Sequence, residues 1–227
     1  MSVYTRSNAR FDRRAVLGGL AALSMSRIAR AADASPIPAS GSLGFRIVRN
    51  GNAIGKHLLT FRQDGDTLRV EVAVDIVVTI GPIAVFRYIH RSSETLRDDV
   101  LIAADGRTND DGKQASMTAR LGPDGLQVQG SAGGNYVAPS GAMMANHWNH
   151  RELDGPMINP QGGKLLRPVV TPYPEELIAL ASGRNVAARR FNLSGDAKLD
   201  LWYDRTQTWA ATRFVAEDGS EVLYERL

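Results

Sequence analysis

The sequence predicts an all-β domain: a single antiparallel sheet of roughly ten strands, strongly curved or closed into a barrel, with one or two short helices. Three observations carry this. Leu68–Ile80 alternates without a break: Val70, Val72, Val74, Ile76 and Val78 fall on one face, and Arg69, Glu71 and Asp75 on the other. Strict period two over that length places one face in a core and the other in water. Turn residues then recur every eight to fifteen positions, which favours hairpins over βαβ units. Finally, the C-terminal stretch from Phe191 to Tyr224 is a series of short apolar–polar alternations closed by Gly195, by a break after Asp204, and by Asp218-Gly219.

Taken in order, Leu43–Val48 reads as the first strand and Asn50-Gly51 as a tight turn. Ile54–Gln63 follows, closed by Asp64-Gly65-Asp66, and then the long valine strand. Gly81-Pro82 breaks that strand, and Ile83–Leu96 resumes it. Val100–Ala104, Gln114–Arg120 and Leu126–Gly130 are shorter strands separated by Thr108–Gly112 and Gly122–Gly125. The alternation fails between Ser131 and Ser182. Within that gap Ala142–Leu153 reads as a short helix. Pro174–Ala181 reads as a second by propensity, with proline near its start and Gly183 after its end, and equally as a strand in the context of the sheet. Val186–Leu193 leads back into the C-terminal meander. Within it, alternation puts Trp202 and Tyr203 on opposite sides of their strand.

A hydrophobic fraction of 43% over 227 residues suits one domain with a real core. The formal charge of +3 is unevenly spread: the first 32 residues hold six Arg and one acid, a charge of +5, which leaves −2 for the rest. A body of that balance is a poor partner for phosphate backbones, so no nucleic acid is expected. Cysteine is absent, which excludes disulfides and thiolate chemistry.

The basic segment is an address. Arg13-Arg14 precedes the apolar run Ala15–Leu23, and Ala29-Arg30-Ala31 supplies a small-residue cleavage pattern. The apolar run is too short to span a bilayer. Residues 1–32 therefore read as a cleaved signal peptide, 33–42 as a loose leader and 43–227 as one β domain, with no transmembrane helix in the mature chain. The arginine pair resembles the twin-arginine export signal; Asp12, Val16 and Gly18 depart from its usual form, and Sec export remains open. The expected location is periplasmic or secreted.

The irregular stretch is where a site is expected, because loops on a sheet scaffold carry function more often than strands. Met143-Met144-Ala145-Asn146-His147-Trp148-Asn149-His150 holds two of the four histidines of the chain. On a helix, His147 and His150 would share a face and could hold copper or zinc, with a nearby methionine suited to copper. The alternative is that Trp148 and Met143 plug one end of the barrel. His57 and His90 are too distant in sequence to be joined to them by reasoning alone. Asp110-Asp111-Gly112, Asp98-Asp99 and Asp204 read as turn chemistry. No nucleophile elbow, zincin motif or phosphate-binding loop is present.

Together, Phe45, Asn50–Gly55, Thr108–Gly112, the Trp148 region, Leu199–Asp204 and Asp218–Tyr224 resemble an uncharacterised family of exported bacterial proteins, a domain of unknown function. The resemblance implies an antiparallel β fold outside the cytoplasm and carries over no catalytic residues. A wide barrel would enclose an apolar pocket. The leading expectation is therefore binding or carriage of a hydrophobic, lipid-like ligand by Tyr136, Met143, His147, Trp148 and His150 near the mouth. Metal binding through His147 and His150 is second. An enzyme of unrecognised type is third.

Overall fold

The computed structural model describes residues 37–227; the predicted signal peptide lies outside the described residues. The first eight strands are consecutive hairpin partners: β1 (Ser42–Arg49), β2 (Asn52–Asp64), β3 (Thr67–Ile80), β4 (Ile83–Arg97), β5 (Val100–Asp110), β6 (Lys113–Gly122), β7 (Gly125–Gly130) and β8 (Gly134–Val137). The predicted turns explain their spacing. Asn50 and Gly51 both take positive φ (46° and 82°), as do Asp111 and Gly112 (49° and 93°). A two-residue hairpin loop of matching twist requires that conformation, and Asn, Asp and Gly reach it most cheaply.

After β8 the chain leaves the sheet. Residues 138–168 form β9 (Met143–Met144), a 3-10 helix (His150–Asp154), β10 (Met157–Ile158) and β11 (Leu165–Leu166). The three short strands make a small sheet of their own, β9 parallel to β10 and β10 antiparallel to β11. The chain then returns as β12 (Val169–Ala179), β13 (Asn185–Ser194), β14 (Leu199–Asp204), β15 (Trp209–Val215) and β16 (Glu221–Arg226). β16 pairs with β1, which joins both runs into one antiparallel sheet of 13 strands, from β12 at one edge to β8 at the other.

Three expectations need correction. The sheet is not closed into a barrel, since β8 and β12 are not paired with each other. Its strand count exceeds ten because β8 and β12 join it. Neither candidate helix forms as drawn, and for the second the strand alternative holds. Pro174–Ala181 lies largely in β12, where Glu176, Leu177 and Ile178 pair with Ala188, Ala187 and Val186. Pro172 and Pro174 sit around a register shift on an edge strand, the place in a sheet where a missing N–H is tolerated. Of Ala142–Leu153, only the end is helical, as one short 3-10 turn.

The valine row keeps its promise over half its length. Leu68, Val70, Val72 and Val74 are buried, Ile76 and Val78 are half-buried, and Ile80 is 71% exposed. Each fully buried aliphatic of such a row contributes roughly 1.5–3 kcal/mol. The same inner face carries Phe45, Ile47, Leu59, Leu96, Met117 and Leu201 into the core. Residues 138–168 cover it, with Met144, Trp148, Met157 and Ile158 all but inaccessible. Trp202 and Tyr203 do lie on opposite faces: Tyr203 joins this core, and Trp202 a small cluster with Ala188, Ala210 and Ala211.

Bare backbone seats the covering segment. A Cβ at Gly106 would strike the Pro160 carbonyl, and one at Gly130 the Gly162 carbonyl. Gly162 O also accepts the N–H groups of Ala132 (2.9 Å) and Gly133 (3.1 Å). The loop thus packs backbone to backbone against β5 and the β7–β8 connection, which only glycine permits.

Candidate functional site

Strand register places a polar layer across the inner face. Tyr224, Ile47, Gly55, Ile76 and Tyr88 stand opposite one another on β16, β1, β2, β3 and β4, and form one transverse row. The next row toward the packed end runs Phe45, His57, Val74, His90 and Thr108. Two rows beyond it, Glu94 faces Val70. These polar side chains sit where the alternation would place apolar ones, so each must find a partner inside.

Most do. His90 bridges Thr108 (Nδ1–Oγ1 2.8 Å) and Ser92 (Nε2–Oγ 3.1 Å). Burial, with help from the Arg91 charge, pulls its pKa down to about 4. Tyr88 accepts from Gln161 Nε2 at 2.7 Å, and burial raises its phenol well above the usual range. Glu94, 2% exposed, accepts on one oxygen from Trp148 Nε1 (2.5 Å) and Asn146 Nδ2 (3.0 Å). Burial lifts Glu94 to about 7 against the pull of those two donors, and neighbouring Glu152 adds to the rise. Glu152, 1% exposed, accepts from the His147 backbone N–H (3.0 Å), from His147 Nδ1 (2.6 Å) and from the Tyr203 hydroxyl (3.3 Å). Two inward carboxylates thus tether the covering segment to the sheet. The contact to Glu152 also holds His147 at φ 65°, an uncommon conformation for a residue with a Cβ.

His57 is the exception. It is 8% exposed, and its Nε2 has no hydrogen-bond partner. Its ring meets Trp209 edge-on at 5.2 Å and Tyr224 at 5.8 Å. Burial, then the charges of His147 and His90, lower its pKa to about 3, so the imidazole is neutral at physiological pH.

Above this layer the sheet opens. The β2–β3 pairing ends at Gly55↔Ile76, whereas β3 and β4 continue together to Ile80↔Ile83. A bulge at Ile54, between Ile47↔Gly55 and Val48↔Ala53, bends the β1–β2 hairpin, and a bulge at Val85 bends the β3–β4 tip. At this last row Gly55 lets β2 pass close over β3, since a Cβ there would strike the Asp75 carbonyl. The two hairpins enclose a cleft of about 650 Å³ lined by Arg49, Asn52, Ile54, Val78, Ile80 and Val85, among others. A second cavity of about 580 Å³ lies farther along β2–β6, lined by Thr60, Glu71, Ala73, Arg91, Arg107 and Ser116 among others.

The expected site residues are dispersed by this arrangement. Tyr136 donates its hydroxyl to Gly163 O at 2.8 Å. Met143 belongs to the small sheet, and Trp148 is a buried plug against Phe61, 5.4 Å ring to ring. His147 precedes the 3-10 turn rather than sharing a helix face with His150. His150 packs on Tyr203 at 6.1 Å, with its Nδ1 buried and unpartnered. Among the described residues, no three metal-ligating side chains converge. Sequence reading did not single out Glu94 or Glu152 and did not place His57 and His90. The signal for three of them was their phase: Glu94 and His90 lie on the inward parity of β4, and His57 on that of β2.

The class of protein follows from this geometry: an all-β, barrel-like open sheet whose inner face is covered by its own chain. A crystal structure of a beta-barrel-like protein of the domain of unknown function DUF1849, from Brucella abortus, shares that fold with a TM-score of 0.54, at 7% identity over 82% of this chain and 94% of the other. No curated protein matches the chain. Residues 45–227 match the domain of unknown function DUF6134, and the chain belongs to that family. No helix among the described residues is long and apolar enough to cross a membrane.

Proposed function

We propose that the protein is an exported binder of an amphipathic, lipid-like small molecule, taken at the open end of the sheet between the β1–β2 and β3–β4 hairpins. One observation carries this reading: the inward apolar row outruns the packed core. Ile54, Ile76 and Val78 are only half-buried, and the tip beyond them exposes Ile80, Ile83 and Val85 around a cleft of about 650 Å³. Clustered apolar surface next to a cavity of ligand size marks a binding site more often than single exposed aliphatics do. Carriage within a wide barrel is not the form this takes, since the interior is packed with Trp148, Met157 and Ile158. The export part rests on Arg13-Arg14, Ala15–Leu23 and Ala29-Arg30-Ala31. N-terminal sequencing of the protein recovered from a periplasmic fraction should begin just after Ala31.

The binding test is fluorescence of N-phenyl-1-naphthylamine, which brightens in apolar sites. The purified protein should saturate with the probe and release it to lysophospholipid. Ile80→Glu with Val85→Glu should weaken probe binding by about tenfold or more, because both side chains line the cleft and each would exchange an apolar contact for a charge. Binding no stronger than to a control protein, or unchanged by the double substitution, would overturn the reading.

A further inference from the structure

The outer face of β3–β6, turned away from the core, repeats one polar unit. Arg91 on β4 gives Nη2 to both oxygens of Asp75 on β3 (2.8 and 3.0 Å) and Nη1 to the carbonyls of Val74 (3.0 Å) and His90 (2.8 Å). Two strands on, Arg120 of β6 gives Nη2 to both oxygens of Asp105 on β5 (2.8 and 2.9 Å) and Nη1 to the carbonyls of Ala104 (2.8 Å) and Ala119 (2.7 Å). The register explains the likeness. Each arginine lies diagonally across from its aspartate, since Ile89 faces Asp75 and Thr118 faces Asp105.

Arg107, on the strand between, begins the same unit but has no aspartate to finish it. Its diagonal neighbour on β4 is Ser93, which faces Asp105. The two corresponding carbonyls belong to Ser92 and Gly106. Ser92, Ser93, Gly106 and Arg107 all line the cavity of about 580 Å³. The Arg107 side chain has no hydrogen bond or ion pair among the described residues. It also stands directly opposite Arg91, and like charges so placed repel. An anion beside Ser93 relieves that repulsion and completes the third unit.

The surrounding charges limit what that anion is. Of the charged residues lining the cavity, Arg91, Asp105 and Glu71 are paired, the last with Arg69 at 3.2 Å, so Arg107 supplies one net positive charge. Glu71 and Asp105 face Ser93 from either side, so a second negative charge on the ligand meets repulsion. A carboxylate fits, being planar, singly charged and able to accept two parallel bonds from a guanidinium. Ala73 and the exposed Leu58 carry the cavity on across β3 and β2. Leu58 is two strands from Ser93, about 10 Å at the usual strand spacing, which leaves room for a compact apolar body.

We infer that this cavity is a second binding site, separate from the cleft between the hairpins, for an organic monocarboxylate. The carboxylate pairs with Arg107 beside Ser93, and the apolar body lies over Ala73 and Leu58.

The test titrates the purified protein with dansylglycine, which brightens on leaving water, and with its neutral counterpart dansylglycinamide, at neutral pH and low salt. Dansylglycine should bind about fivefold or more tighter, the effect of one charge-assisted pair at a half-exposed site. Arg107→Gln should bring the two within about twofold of each other. Ser93→Asp, which supplies a carboxylate from within the chain, should do the same. Phenylacetate should displace dansylglycine at concentrations about threefold or more below those of phenyl phosphate, mostly a dianion at this pH. Ile80→Glu with Val85→Glu should leave the preference for dansylglycine as it is. No saturable binding of dansylglycine, or equal binding of the amide, would overturn the inference. So would a preference that survives Arg107→Gln or Ser93→Asp, or one that the Ile80 and Val85 pair abolishes, which would put the probe in the hairpin cleft. Phenyl phosphate competing as well as phenylacetate would overturn the assignment to a monoanion.

Discussion

The two ends of β3 carry the same residue types in the same phase and meet opposite fates. From Leu68 to Val74 the inward row is buried under Trp148, Met157 and Ile158; from Ile76 to Ile80 it rises into solvent, although its residues are no more polar. The sheet alone does not make that difference, since both ends pair with β4 throughout. What differs is the other wall. At one end the covering segment closes over the sheet, clamped by Glu94 and Glu152; at the other, two bulges turn the neighbouring hairpins apart. Burial is a property of what packs against a face, and alternation reports only that a face exists.

The largest effect should therefore come from loosening the clamp. Trp148 is 2% exposed, packs edge-on to Phe61 and gives its indole N–H to Glu94. Trp148→Ala should cost about 3–5 kcal/mol in urea or thermal unfolding, since it leaves a cavity and takes one of two donors from a buried carboxyl group. Trp148→Phe keeps much of the volume but loses the donor, so it should cost less. A loss under about 1 kcal/mol for the alanine variant would mean that the covering segment does not close the packed end, and the contrast would fail.

The buried titratable groups sharpen the comparison through pH. Glu94 is held at about 7, above its unfolded value, so the folded state keeps a proton that the unfolded state releases. Its contribution to stability falls as pH rises from about 4.5 to 7. His57, at about 3, and His90, at about 4, are lowered, so the unfolded state binds protons that the folded state refuses. Their contribution is lost as pH falls below about 6.5. The opposing slopes place the maximum of this three-group term near pH 7. Glu94→Gln keeps the oxygen that accepts from both Trp148 and Asn146, and removes the ionisation. Measured against wild type, it should gain stability between pH 4.5 and 7, by up to about 3 kcal/mol above that window. His57→Leu should flatten the difference on the acid side instead. A Glu94→Gln minus wild-type difference that stays level across pH 5–8 would show that the carboxyl group is not desolvated as drawn.

How much of this was legible depends on which wall is meant. The strands, the hairpin turn at Asn50-Gly51 and the opposite facing of Trp202 and Tyr203 follow from local chemistry, and the folded chain agrees; the turn expected over Thr108–Gly112 narrows to Asp111-Gly112, because Thr108–Asp110 continue β5 in register with β4. Pro174–Ala181 reads as helix by propensity and as strand by context, and pairing with Ala187 and Ala188 decides for the strand in the protein. Met143–His150 was rightly marked as irregular, but its role depends on Glu94, 52 and 54 residues away from the Asn146 and Trp148 it meets. No local pattern announces a partner at that distance. The layer of His57, His90, Tyr88 and Tyr224 was hidden for the same reason: each strand contributes one or two polar residues, and only the register of five strands lines them up.

The smallest stability effect belongs to the open end, and it is the most discriminating because a null change is expected beside a functional one. Ile80 and Ile83, paired across the tip, are 71% and 65% exposed. Replacing both by Ser removes apolar area that folding does not bury, so unfolding free energy should move by no more than about 0.5 kcal/mol. Val72→Ser, on the same strand and 3% exposed, buries an extra hydroxyl and empties packed volume; it should cost several times as much. Probe binding should show the reverse order, falling for the Ile80 and Ile83 pair and holding for Val72→Ser while that variant stays folded. If the tip pair destabilised the protein as much as the core valine does, those isoleucines would be part of the fold's own packing, and the cleft between the hairpins would have no apolar surface to spare for a ligand.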